Sequence, residues 1–504
     1  MTKILKIGLV AGVNPIVAPF VKAAIFRAAA ESARTVELVE DELELRKDAP
    51  TERIALGDSK ITALESAWRL QEKGCDVALI ANLRSEAYID EVRTELQMPI
   101  VSLYAGMPEA VKAKGARKIG LLGCALDVAL IRKLLPECEI IEGSGLSCTN
   151  TTNPEIVREE AVKLLAAGAE LLLPVCGRVA GAAFELISEG MPILDVLTTA
   201  AHKAIDETPV RLPKPFKVGL IGGLGPAATV DLYDKIVKAT PAKNDQEHFK
   251  LVVEQNPQIS DRTACLLKGG ADPTLAMYGC ARRLQKDGCD AIIVPCNTAH
   301  AFVPYLERHL DIPFINMQIA TMEEIKAKLG DKARIGLLAT SGTVQTGIYG
   351  DKAKALNLPM FVPDELHQER VMAAIYGPLG AKAGYTDGQC REDLVSAAEY
   401  LVKTYDCNCL ILGCTELPLI LDECDDFVCA GKEVCVVDPT SALARKVVRI
   451  ATETNKAHPL IPDLRLSGLM LGKAAVRTSG RPPFCQNPSQ QLLPKGRGFR
   501  AEFL

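Results

Sequence analysis

Leu70-Gln-Glu-Lys-Gly-Cys-Asp76 returns 214 residues later as Leu284-Gln-Lys-Asp-Gly-Cys-Asp290, identical at five of seven positions. Neighbouring segments keep nearly the same offset. Lys6-Ile-Gly-Leu-Val10 faces Lys217-Val-Gly-Leu-Ile221, and Lys118-Ile-Gly-Leu-Leu122 faces Arg334-Ile-Gly-Leu-Leu338. An offset held over so long a stretch is the signature of a tandem duplication. Apolar runs such as Asp290-Ala-Ile-Ile-Val-Pro295 and Cys409-Leu-Ile-Leu412 are each followed by a Gly-bearing or polar turn and a helical pattern. Continuous apolar runs of about five residues fit strands buried on both faces, so the expected fold is α/β, with parallel sheets covered by helices.

The boundary between the copies falls in Asp206-Glu-Thr-Pro-Val-Arg-Leu-Pro-Lys-Pro-Phe216, where three prolines stiffen a polar connection and stop a helix. The expected domains are 1–208 and 216–455, joined by a Pro-rich linker at 209–215. A basic tail follows at 456–504. Its last forty residues carry seven Lys/Arg and one acid and lack periodicity, so the tail is expected to be disordered.

Composition narrows the function. The chain has 504 residues, with 58 Lys+Arg against 63 Asp+Glu and a net charge of −5, which gives no footprint for nucleic acid. No apolar run approaches the ~20 residues of a membrane helix. The opening Met1-Thr-Lys-Ile-Leu-Lys6 meets charge too early for a secretory signal. The 17 scattered cysteines then read as reduced thiols in a cytoplasmic enzyme. Six histidines form no HxH or HxxxH pair, and the late cysteines (Cys407, Cys409, Cys414, Cys424, Cys429, Cys435) lack paired CxxC spacing, so no metal is expected.

Two cysteines of the second copy share one setting. Cys296 in Val294-Pro-Cys-Asn-Thr298 and Cys414 in Leu412-Gly-Cys-Thr-Glu416 each lie just past the carboxyl end of an expected strand, where ligands bind in open α/β sheets. A helical pattern close behind suggests that a helix dipole lowers their pKa. The plainer alternative is two small buried hydrophobes. Two-base proton exchange needs an acid and a base on opposite faces of one carbon, and two quasi-equivalent strand ends supply that geometry.

Five motifs in order make the second copy resemble the PLP-independent aspartate/glutamate racemases, the aspartate racemase branch in particular. They are Gly222-Gly-Leu-Gly-Pro226, Asn256-Pro-Gln-Ile-Ser-Asp-Arg-Thr263, Pro295-Cys-Asn-Thr-Ala-His300, Ala339-Thr-Ser-Gly-Thr343 and Gly413-Cys-Thr-Glu416. Leu224 stands where the family usually has Met. The resemblance implies two racemase-like copies, each of two pseudo-symmetric α/β subdomains, acting on a small amino acid without a cofactor. It implies Cys296 and Cys414 as the catalytic acid/base pair, and Arg262 and Lys382 as carboxylate-binding cations. Asn297, Thr298, Thr340, Thr343 and Thr415 would bind substrate by hydrogen bonds, beside the loop glycines Gly223 and Gly225. Their other uses are capping and turn chemistry. Glu416 would bind the ammonium group, tune Cys414, or complement a helix dipole.

Gly223-Leu-Gly-Pro-Ala-Ala228 also matches a dinucleotide fingerprint, but the racemase loop fits it residue by residue and NAD leaves both cysteines unused. In the first copy Cys296 falls on Asn82 and His300 on Glu86, while Cys176 matches Cys414 if one residue is inserted. A carboxamide is no base, so this copy is expected to be degenerate and non-catalytic. Its expected role is structural, as half of an internal pseudo-dimer with room for further homo-oligomerisation; a regulatory amino-acid site and a one-cysteine activity are the alternatives. For the second copy the expected reaction is interconversion of L- and D-aspartate, with glutamate as second choice. A maleate-isomerase-like cysteine enzyme and a non-catalytic amino-acid sensor are the competing readings.

Overall fold

The repeated heptad explains itself in the computed structural model, which describes residues 4–457 apart from 47, 49–51, 124–127, 144–145, 147–152, 208 and 211–213. Leu70 and Leu284 close two helices, Glu52–Glu72 and Thr274–Lys286, and pack onto glycines of the strands below. A Cβ at Gly8 would meet Leu70 Cδ1 at 3.0 Å, and one at Gly219 would meet Leu284 Cβ at 2.9 Å. Gly74 (φ +78°) and Gly288 (φ +73°) then turn the chain in the left-handed region. Cys75 and Cys289 are buried. Asp76 accepts the Lys6 N–H at 3.0 Å and Asp290 accepts the Lys217 N–H at 2.8 Å, fixing the next strand beside the first.

Those strands build four sheets. β1 (Leu5–Val10) runs parallel between β2 (Val36–Asp41) and β3 (Val77–Ile80), with β4 (Ile100–Val101) outside β3. The second sheet is ordered β6-β5-β7, from β5 (Lys118–Leu122), β6 (Glu139–Glu142) and β7 (Leu171–Pro174). In the second half, β8 (Lys217–Gly222) lies between β9 (Lys250–Gln255) and β10 (Ala291–Ile293). The fourth sheet is ordered β12-β11-β13-β15-β14, from β11 (Ile335–Leu338), β12 (Met360–Phe361), β13 (Cys409–Leu412), β14 (Cys424–Cys429) and β15 (Lys432–Val437). All pairs are parallel except the β14–β15 hairpin. The order β2-β1-β3 thus recurs as β9-β8-β10, and β6-β5-β7 as β12-β11-β13. Register repeats too: Ala78 pairs with Ile100, and Ile292 bridges Phe314.

β3, β7, β11 and β13 are buried at every residue, as expected of strands covered on both faces. The helix Val196–Asp206 ends before the Pro-rich connection, and β8 begins at Lys217. The described residues belong to one compact unit, Met1–Ile461. Within it a Lys250–Glu95 ion pair (3.3 Å) links the halves. Pro213 of the expected linker and the tail beyond Ala457 lie outside the described residues. Among the described residues no helix is long and apolar enough to cross a membrane.

β8 delivers the loop that matters most for the site. Gly223 has φ +89°, and a Cβ there would sit 2.4 Å from the Asn256 carbonyl carbon. Neither backbone can yield without moving the Asn256–Thr263 segment. Gly223→Ala is therefore expected to destabilise the protein by about 2 kcal/mol or more, from left-handed strain plus the clash. Urea denaturation measures it, and an unchanged midpoint contradicts the account.

Candidate active site

The carboxyl ends of β8, β10, β11 and β13 point their loops into one cleft of about 350 Å³, its mouth included. Cys296, Asn297 and Thr298 come from the loop after β10, Thr340 from the loop after β11, and Gly413 to Glu416 from the loop after β13. Arg262 opens the helix Arg262–Lys268, capped by Asp261, which accepts the Ala264 N–H at 2.6 Å. Lys382 lies in the short turn Ala381–Ala383. The two cysteines, one from each sheet of this half, line the same space and are 9% and 7% exposed.

The helix-dipole expectation fails for Cys414. Each cysteine leads into a 3₁₀ turn of four residues (Thr298–Ala301) or three (Leu417–Leu419), too short to align many peptide dipoles. For Cys414 the balance runs the other way. Burial pushes its thiol well above the ordinary range, and the Glu416 carboxylate reinforces this. The Cys414 S–H donates to Glu416 Oε2 at 2.9 Å, and Lys382 Nζ donates to Glu416 Oε1 at 2.5 Å. Burial alone would raise the Glu416 pKa and lower that of Lys382, but their mutual attraction outweighs it, so both remain charged. The pair's contribution to stability is therefore lost as pH falls through the lowered Glu416 value, and again as pH rises through the raised Lys382 value.

Cys296 lies against Arg262. Burial disfavours the guanidinium charge, but the Cys296 sulfur beside it more than restores its basicity. Arg262 Nη2 donates to Leu224 O at 2.5 Å and Nη1 to Ser260 O at 3.1 Å, whereas Nε is buried without a hydrogen-bond partner. The fork expected to grip a carboxylate is thus partly engaged by backbone carbonyls, and Nε is a buried donor without a partner. Asn297 Nδ2 is a second buried donor without a partner. Three threonine hydroxyls cluster behind them: Thr298 meets Thr343 at 2.8 Å and Thr340 at 3.3 Å. Thr340 also caps the helix Ser341–Gln345, so the capping use is realised as well.

Of the residues named from sequence, Thr343, Gly223 and Gly225 do not line the cleft. Thr343 stands behind Thr298, Gly223 packs on the Asn256 backbone, and a Cβ at Gly225 would reach Glu416 Oε1 at 3.3 Å. Leu224, Asp261, Thr263, Gly413 and Tyr376 line it in addition. All but Tyr376 sit inside the quoted motifs; Tyr376 ends the helix Glu365–Tyr376 and belongs to no motif.

His300 is fully buried. Its Nε2 accepts the Met317 N–H at 3.2 Å, so its proton is on Nδ1, which donates to Cys296 O at 2.9 Å. Burial drops its pKa to about 4, so it is neutral at physiological pH and braces the Cys296 loop. In the first half, Glu86 accepts the Leu103 N–H at 3.0 Å, matching the His300–Met317 contact at the same offset, whereas the Asn82 carbonyl accepts from Ser85 Oγ instead. Asn82 caps a 3₁₀ turn after β3, and Cys176 precedes the helix Gly177–Ser188.

Parallel α/β sheets thus bring two buried cysteines to one donor-rich cleft. Residues 221–447 match the Asp/Glu/hydantoin racemase family model. The chain is 25% identical over 239 residues to the broad specificity amino-acid racemase of Bacillus subtilis (strain 168), covering 46% of this chain and 96% of that one. It is 30% identical over 182 residues to the glutamate racemase of Shewanella sp. (strain MR-4), spanning 36% of this chain and 62% of that enzyme's length. The structure of Picrophilus torridus aspartate racemase is 30% identical, with a TM-score of 0.39, over 47% of this chain and 94% of that one. Residues 221–447 are thus an Asp/Glu/hydantoin racemase family domain within the longer chain.

Glu416→Gln removes the charge that holds the proton on Cys414 and leaves the Lys382 ammonium unopposed. The Cys414 pKa is then expected to fall, shifting its alkylation by iodoacetamide to lower pH. Mass spectrometry of the Cys414 peptide across pH measures this; an unmoved profile contradicts the assignment.

Proposed function

We propose that residues 216–455 carry a cofactor-independent amino-acid racemase that interconverts L- and D-aspartate, with glutamate as second choice, by two-base transfer between Cys296 and Cys414. The observation that carries the reading is the pair of cysteines drawn from opposite sheets into one cleft, one of them holding a hydrogen-bonded proton. In that state Cys414 is the acid, and Cys296, beside the Arg262 cation, is the base. Reaction in the other direction exchanges the roles.

The chemistry requires what the cleft offers. An amino-acid α-proton is a weak acid, and an ionised carboxylate makes the resulting carbanion less stable still. Donors fixed before the proton leaves offset that charge better than mobile water can. Arg262 Nε and Asn297 Nδ2 are buried donors with no partner inside the protein, and substrate carboxylate satisfies both. Lys382 supplies a second cation for the side-chain carboxylate of an acidic substrate, which favours aspartate or glutamate over neutral amino acids. The first half, with Asn82 in place of Cys296, we read as a degenerate copy that covers the second as an internal pseudo-dimer. Both thiols must stay free, so a reducing cytoplasm is the compartment this reading calls for.

Cys296→Ser and Cys414→Ser are each expected to lower racemisation of L-aspartate by about 10²–10⁴-fold, the usual worth of one positioned acid or base. Chiral chromatography of the product measures it. Wild-type rates in either variant contradict the two-thiol mechanism.

A further inference from the structure

Tyr349 stands outside the cleft on the helix Ile348–Ala355, with none of its surface exposed. It packs in an apolar cluster with Met322, Ile325 and Leu337. Its hydroxyl donates to Asn297 Oδ1 at 2.7 Å. Thr321, the other hydroxyl in reach, spends its own proton on Met317 O at 2.8 Å. Asn297 is 2% exposed and lines the cleft, its backbone carbonyl is held by Gln318 Nε2 at 3.1 Å, and its Nδ2 has no partner.

A side-chain amide has an accepting end and a donating end of nearly equal size, and only its partners decide which way it faces. In the Asn297 amide the accepting end is taken by a buried phenol, which itself has to place its proton on an acceptor. We infer that Tyr349 is a positioning residue for substrate binding: by anchoring the Asn297 carbonyl it turns the N–H₂ into the cleft as a donor to the substrate carboxylate. It acts through Asn297 and touches no substrate. The inference rests on the amino-acid racemase reading of this cleft.

The test is a double-mutant cycle on the full chain, read by steady-state kinetics with L-aspartate. Tyr349→Phe is expected to raise KM roughly ten-fold with kcat changed less than about three-fold and its pH profile unmoved, as removal of a binding contact does. In an Asn297→Ala background the same substitution is expected to add nothing. An equal effect in that background, or none in the wild type, overturns the inference. Should Tyr349→Phe fail to fold, Asn297→Asp decides: it keeps the acceptor for Tyr349 but turns an oxygen on the substrate, and is expected to weaken binding by more than about 100-fold. Wild-type KM in that variant overturns the inference.

If the wild type does not turn over aspartate, the substrate reading has failed. The orientation is then read directly by neutron diffraction of crystals grown in deuterated buffer. A phenol deuteron aimed at Asn297 Oδ1 supports the inference, and amide deuterons facing Tyr349 overturn it.

Discussion

The cleft is organised around one shared proton. Cys414 donates to Glu416, which is held charged by Lys382; the thiol and the carboxylate are buried, while the Lys382 side chain reaches the surface. A buried thiol resists ionisation, and a carboxylate beside it makes ionisation harder. A cation on the far side of that carboxylate keeps the carboxylate itself from taking the proton. The result is a thiol in a defined state, opposite a cysteine whose neighbour is a guanidinium instead of a carboxylate. Two chemically identical side chains thus sit among different neighbours.

The fold makes this arrangement possible by bringing two sheets together at their carboxyl ends. Each sheet contributes one cysteine and the hydrogen-bonding residues that follow it. Rigid supports lie behind the reacting groups: His300 braces the Cys296 carbonyl against the Met317 N–H, and the Gly223 turn brings the Leu224 carbonyl to Arg262. In the first half Glu86 keeps, of the two His300 contacts, only the one to a backbone N–H, that of Leu103, and Asn82 stands at the position matching Cys296.

Much of this is legible in the sequence because the repeated heptad states packing rules in residue types. A leucine over a strand glycine, a left-handed glycine, a buried cysteine and an aspartate tying two strands each leave a mark that recurs in both halves. The strand ends and their cysteines follow from the same rules. The electrostatics are less legible. The turns after Cys296 and Cys414 read as helix starts, but they are single 3₁₀ turns, so the expected dipole is missing and burial decides the Cys414 pKa. Arg262 looks like a free fork until its contacts with Leu224 and Ser260 are seen. Tyr376 and Tyr349 belong to no motif, since each reaches the site only through packing of helices distant in sequence.

The central claim is that two distinct groups handle the proton, one on each face of Cα. The most direct measurement follows isotope at early times, with L-aspartate incubated in deuterium oxide and both enantiomers analysed while conversion is still small. Two thiols predict that newly formed D-aspartate carries deuterium at Cα while the remaining L-aspartate keeps its original hydrogen. Deuterium entering the remaining L-aspartate as fast as the product would mean that a single base serves both faces, and would contradict the account.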